Sequence, residues 1–128
     1  MRVLIDTHAL LWWINNDPRI SWRAREVFSA GENKLLFSAA SGWEMAIKVN
    51  LGKLTVEGPL GSYLSKHLVD VAVEVLPVSL RHAVGVADLP NHHRDPFDRL
   101  IVAQALAEGI PVLTADPLVT RYPVETIW

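Results

Sequence analysis

The chain has 128 residues, half of them hydrophobic, with a formal net charge of −2 and no cysteine. This is the length of one domain, with enough apolar residues for a sizeable core and too little charge imbalance for disorder. Without cysteine there are no disulfides and no thiolate zinc sites, and a mildly acidic chain holds nucleic acid only if something else, such as a bound metal, supplies positive charge.

Met1-Arg2 leads into an apolar stretch that stops at Asp6, too short for a signal peptide. No apolar run approaches the ~20 residues of a membrane-spanning helix. The expectation is a cytoplasmic protein with no membrane partner. Val3-Leu4-Ile5 reads as a buried strand, and Thr7 to Asn15 as a helix with Leu10, Leu11 and Ile14 facing inward. Ser21 caps a second helix through Ala30. Leu35-Leu36-Phe37 is the second strand, and Ser38 or Ser41 caps a helix that runs to about Asn50 and stops at Gly52.

Pro59 to Val69 reads as helical, Ala72 to Leu76 as a third strand, and Ser79 as the cap of a helix through Ala87. Leu89 to Arg94 is a loop. Asp95-Pro96 opens the clearest helix, which ends near Glu108 before Gly109. Pro111 to Thr114 is a fourth strand, Asp116-Pro117 starts a helical turn, and Glu125 to Ile127 is an edge strand. Short strands alternating with helices indicate an α/β fold with a mainly parallel central sheet. There is no internal repeat.

Ligands bind beyond the carboxyl ends of parallel strands. Asp6 follows the first strand and Asp116 the fourth, while Glu44 and Asp98 lie near helix starts. If those helices begin on the same sheet edge, all four acids converge. Carboxylates a few ångströms apart repel, and at neutral pH at least one would take up a proton. A divalent ion removes that penalty. Oxygen-only ligands favour Mg²⁺ or Mn²⁺, which would hold a phosphate and activate a water, with Glu44 or Asp116 to orient it. Each acid also has a purely structural role open to it. Asp6 and Asp116 can be helix caps, Asp98 a first-turn acid, and Glu44 the partner of Lys48 on a solvent face, worth only ~0.3–0.5 kcal/mol. It is the combination that favours chemistry.

The segments that carry these acids resemble PIN-domain nucleases. Leu4-Ile5-Asp6-Thr7-His8-Ala9-Leu10 is similar to the family's opening motif, and Ser41-Gly42-Trp43-Glu44-Met45-Ala46-Ile47-Lys48 to its second. Asp95-Pro96-Phe97-Asp98-Arg99-Leu100-Ile101 resembles the third and Leu113-Thr114-Ala115-Asp116 the fourth, in order and over essentially the whole chain. The likeness is greatest to the VapC-type toxins of toxin–antitoxin pairs. It implies a three-layer domain over residues 1–128, with a sheet of four to five strands flanked by helices. It also implies an Mg²⁺- or Mn²⁺-dependent endoribonuclease acting on RNA, a VapB-like antitoxin partner and a homodimer. Asp6, Glu44 and Asp98 match the family's shared acids, Asp116 the more variable fourth, and Thr7 and Thr114 small hydroxyl positions suited to a metal-bound water.

Other residues are weighed on their chemistry. Asp95 is by position the better helix cap than Asp98. Arg94 and Arg99 flank the acids as possible phosphate contacts, against plain surface pairing. Lys48 suits phosphate or Glu44 equally. His92-His93, with no second ligand pair, reads as loop rather than zinc site. His8 reads as an ordinary helix-start histidine. Trp12 and Trp13 are adjacent and are not expected to face one core, so one of them is expected to line a dimer or antitoxin groove. The competing functions are a PIN-fold nuclease for structured DNA or RNA processing, and a catalytically inactive binding module. A phosphatase with Asp6 as nucleophile is disfavoured, because His8 stands where such enzymes commonly carry a second Asp.

Overall fold

A computed structural model describes residues 1–92 and 94–128; His93 lies outside the described residues, so the reading of the His92-His93 pair is addressed only at His92. Among the described residues the elements are β1 (Arg2–Ile5), α1 (Thr7–Ile14), α2 (Trp22–Ser29), β2 (Lys34–Ser38), α3 (Ala39–Asn50), α4 (Leu60–Asp70), β3 (Val73–Leu76), α5 (Leu80–Gly85), α6 (Pro96–Glu108), β4 (Val112–Leu113) and β5 (Thr126–Ile127). The strands form one sheet in the order β3-β2-β1-β4-β5, with every pairing parallel. The expected α/β architecture is therefore present, with five strands.

Strand periodicity builds the layers. Val3, Ile5, Leu35 and Phe37 point to one face and pack with Ala9, Leu10, Ala24, Val27 and Phe28 of α1 and α2. Leu4, Leu36 and Val112 point to the other and pack with Ile101 and Ala105 of α6. Both faces of the sheet are thus covered by helices, which is why its strands read as continuous apolar runs rather than alternating ones.

The chain departs from the sequence-based reading in places. The helix capped by Ser79 ends at Gly85 and tightens into a 3₁₀ turn over Val86–Asp88. β4 holds only Val112–Leu113, leaving Thr114 just beyond the strand. The turn after Asp116-Pro117 is a 3₁₀ segment, Val119–Arg121. Trp12 and Trp13 do pack against the same core: Trp13 stacks on Phe28 at 4.7 Å, and Trp12 meets the Trp128 ring at 5.7 Å. A short helix over a twisted sheet lets neighbouring large rings reach sideways to opposite edges of one core. His92 is an exposed loop residue with its ring against Tyr122.

Ser38, not Ser41, caps α3. Its hydroxyl accepts from the Ala40 N–H at 3.0 Å and donates to Oε1 of the buried Gln104 at 2.5 Å, tying the start of α3 to the middle of α6. The far end of α3 closes on Gly52 at φ +73°. The Gly52 N–H donates to Val49 and the Lys53 N–H to Lys48, a double closure that a left-handed glycine permits. Ser38→Ala removes a cap and strands a buried amide oxygen. It should cost about 2–3 kcal/mol in urea unfolding. Ser41→Ala should lie within about 0.5 kcal/mol of wild type, because the buried Ser41 hydroxyl has no hydrogen-bond partner among the described residues.

Candidate functional site

The strand order reverses beside β1: β2 lies on one side and β4 on the other. In open parallel sheets the crevice for ligands opens at such a switch point, beyond the strand ends. Asp6 leaves β1 there, and Asp116 follows β4. The backbone stays in register past the strands, since the Asp6 N–H donates to Leu113 O at 3.0 Å. Glu44 arrives from the sixth position of α3, deeper in its helix than the sequence suggested, because α3 starts directly on the end of β2 with no loop between. Asp98 arrives from the third position of α6.

All four acids, together with Asp95, line one cavity of about 300 Å³. His8, Lys48 and Lys53 share its wall with Thr7, Leu11, Met45 and Leu54. Asp6 is the cap of α1, accepting from the Thr7 N–H at 2.8 Å through Oδ1. Its other oxygen accepts from the Thr114 hydroxyl at 2.7 Å across the switch point. The Thr7 hydroxyl donates to Glu44 Oε1 at 2.9 Å, and Glu44 Oε2 lies 3.4 Å from Lys48 Nζ. The Glu44–Lys48 pair therefore exists, but its acid is buried rather than on a solvent face. Each of the two hydroxyls donates to a carboxylate of the site. Asp116 accepts from the Leu118 N–H at 2.9 Å, and its own N–H donates to the Thr114 oxygen.

Asp98 bears the electrostatic consequence. Burial first, then the charges of Asp6, Asp95, Asp116 and Glu44, push its carboxyl up to about 8. Asp95 caps α6 as expected, accepting from the N–H groups of Phe97 and Asp98, and also borders the cavity. Among the described residues, no three carboxylate or histidine side chains are drawn close enough to clasp a metal ion. The donor set nevertheless suits one. It is all oxygen, converges from separate elements, and holds more negative charge than it stabilises unaided.

His8 and Lys53 have roles that a reading along the chain missed. His8 Nε2 accepts the Ala115 N–H at 3.0 Å, which leaves the ring proton on Nδ1, 3.6 Å from Asp6 Oδ2. His8 thus braces the backbone just ahead of Asp116. Lys53 reaches the cavity because the Gly52 turn folds the chain back there. The glycine stop was a usable signal for Lys53; nothing local signalled His8. Arg99 is directed elsewhere, donating to Pro90 O at 2.8 Å, Tyr122 Oη at 3.1 Å and Val86 O at 3.3 Å. Arg94 is exposed, and neither arginine borders the cavity.

The sequence profile of the PIN domain matches residues 3–124. Ribonuclease VapC22 of Mycobacterium tuberculosis is 29% identical over 114 residues, covering 89% of this chain and 86% of that protein. Of solved structures, VapBC2 from Rickettsia felis, bound to a DNA fragment from its promoter, aligns with a TM-score of 0.74 over 99% of this chain and 98% of that one at 19% identity. FitAcB from Neisseria gonorrhoeae aligns with a TM-score of 0.66 over 98% and 96% at 17% identity. At those identities the likeness to the two solved structures is one of fold.

The raised Asp98 carboxyl makes the folded protein hold a proton that the unfolded chain releases near the ordinary aspartate value of 3.8. Stability from this group is therefore complete below that value and lost as pH rises towards about 8. Without divalent ions, the Tm of Asp98→Asn relative to wild type should rise by roughly 3 °C or more between pH 4 and pH 8.5. The same Tm difference at both pH values would remove the proposed crowding of charge.

Proposed function

The chain belongs to the PIN-domain family, and from that membership we propose that it is an Mg²⁺- or Mn²⁺-dependent endoribonuclease serving as the toxin of a toxin–antitoxin pair. The observation that carries this reading is the convergence of Asp6, Glu44, Asp98 and Asp116 from four separate parts of the chain on one small cavity. The similarity to a protein named ribonuclease supports RNA as the substrate.

Asp6, Glu44, Asp98 and Asp116 would hold the ion, and its bound form supplies positive charge at the scissile phosphate and a more acidic water. The chain's own work is positioning and proton control. The Thr114 hydroxyl holds one oxygen of Asp6, and Thr7 holds one oxygen of Glu44. Each carboxylate is thereby aimed before substrate arrives, which lowers the cost of ordering at the moment of reaction. Asp98 keeps its proton while it stands buried among four other carboxylates, and would give it up once added positive charge offsets those neighbours. Glu44 or Asp116 would orient an attacking water. Lys48 and Lys53 provide cationic charge on the wall nearest α3 and suit the flanking phosphates of an RNA strand.

A VapB-like antitoxin is the proposed partner, supported by the fold shared with VapBC2 and FitAcB. Another cleft, of about 260 Å³, lies between α1 and α4 and is lined by Leu11, Ile14, Leu54 and Tyr63 alongside Asn15, Glu57 and His67; this mixed lining offers a seat for an amphipathic helix of that partner. Neither Trp12 nor Trp13 lines it. A homodimer and a cytoplasmic setting belong to the same proposal. In the structure, no helix among the described residues is long and apolar enough to cross a membrane.

Purified protein should cleave total RNA with Mg²⁺ or Mn²⁺ and stop on addition of a chelator. Asp6→Asn and Asp98→Asn should each lower cleavage by about 100-fold or more while leaving far-UV circular dichroism unchanged. Undiminished cleavage by either folded variant would overturn the site. Thr114→Val, which only frees one oxygen of Asp6, should cost a smaller factor, roughly 10–100-fold in activity or metal affinity.

A further inference from the structure

Beside the acids stands an aromatic pair that the chemistry above does not use. Trp43 precedes Glu44 on α3, and Phe97 precedes Asp98 on α6. The two rings meet edge to face, with centroids 5.1 Å apart and planes 74° apart. Trp43 is 62% exposed, so its indole offers a broad apolar face to solvent. The contact with Phe97 holds the indole in place and leaves most of its surface in water.

Three observations point to what covers it. The pair sits one residue from two of the site's acids, on the two helices that carry Glu44 and Asp98, and outside the lining of the cavity itself. The cavity itself has no Phe, Tyr or Trp in its lining and holds about 300 Å³, space for a phosphodiester but with no broad ring to receive a base. The chain is also net negative. Of the basic residues near the acids, Lys48 is paired with Glu44, Arg99 is bonded to Pro90, Val86 and Tyr122, and Lys53 lines the cavity wall. Stacking on a ring does not depend on net charge, because every base has a π face.

We propose that Trp43, held by Phe97, is the platform on which one unpaired nucleobase beside the scissile phosphate stacks. This rests on the ribonuclease reading and adds the form of the substrate: a single-stranded or bulged RNA with a base free to leave its own stack. The platform selects for strand form and for one position relative to the cut rather than for a particular base. Because the indole is already held, binding orders few side chains.

The test uses the full chain with its divalent ion and a single-stranded RNA oligonucleotide that wild type cuts. A matched series carries an abasic nucleotide at each position flanking the cut. Trp43→Ala should raise KM roughly 10- to 100-fold with kcat changed much less, and Trp43→Phe should recover most of the loss. One abasic position should raise KM for wild type by a similar factor and leave Trp43→Ala unaffected, which marks a direct partnership. Trp22→Ala, at an exposed tryptophan on α2, a helix that contributes no residue to the cavity, should leave KM unchanged.

An unchanged KM in Trp43→Ala, or equal abasic penalties in both proteins, would overturn the platform while leaving the nuclease intact. A Trp43→Ala protein that changes only its self-association or its affinity for an antitoxin would assign the ring to a protein contact, and would overturn it too. Absence of RNA cleavage by wild type would remove the nuclease reading and the platform with it.

Discussion

Confinement of like charge is the constraint on which the site depends. Five carboxylates border one small cavity, and the protein has brought them there against their mutual repulsion. Asp98 shows the result most directly, since its carboxyl keeps a proton well into the neutral range. That energy comes from the rest of the fold, from the two apolar layers that clamp the sheet between helices. A cavity built this way is poorly matched to an anion by itself and well matched to a cation, which can then present the phosphate.

The acids are held by small hydroxyls rather than by arginines. Thr114 reaches Asp6 from the far side of the strand-order reversal, and Thr7 reaches Glu44 from the start of α1. A neutral donor aims a carboxylate without cancelling its charge, so the site stays ready for a cation. An arginine in either place would neutralise the acid and compete for it. The chain instead employs Arg99 well away from the cavity, bonded to carbonyls and the Tyr122 hydroxyl. Ser38 and Gln104 carry the same economy into the core, where one hydrogen bond links the helix bearing Glu44 to the helix bearing Asp98. The relative placement of those two acids therefore follows from a buried polar contact as well as from apolar packing.

On the proposed ribonuclease function, a net negative chain must find affinity for RNA outside long-range attraction. Lys48 and Lys53 give local positive charge, and the Trp43–Phe97 pair gives a neutral surface beside the acids. The lysines and Trp43 come from α3 or its end, so one helix contributes a site acid, a cationic wall and the exposed ring that Phe97 of α6 holds. This concentration on α3 gives the Ser38 cap and the Gly52 closure a functional meaning: they set the register of the whole helix relative to the sheet.

Much of this was written locally. The apolar runs at Val3 to Ile5 and Leu35 to Phe37 mark buried strands because both faces of the sheet are covered. Asp95-Pro96 and Gly109 mark the ends of α6 because capping and left-handed geometry act over a few residues. Asp6, Asp98 and Asp116 were legible as candidates from their places after strands and near a helix start, whereas Glu44 lies six positions into α3. What only the tertiary structure decided are the contacts between distant segments: Thr114 with Asp6, Thr7 with Glu44, His8 with Ala115, and both tryptophans of α1 against one core. Sequence proximity governs dihedral preference and capping, whereas the direction of a side chain across a 108-residue separation, as between Asp6 and Thr114, is set by sheet order and helix packing, which no single segment encodes.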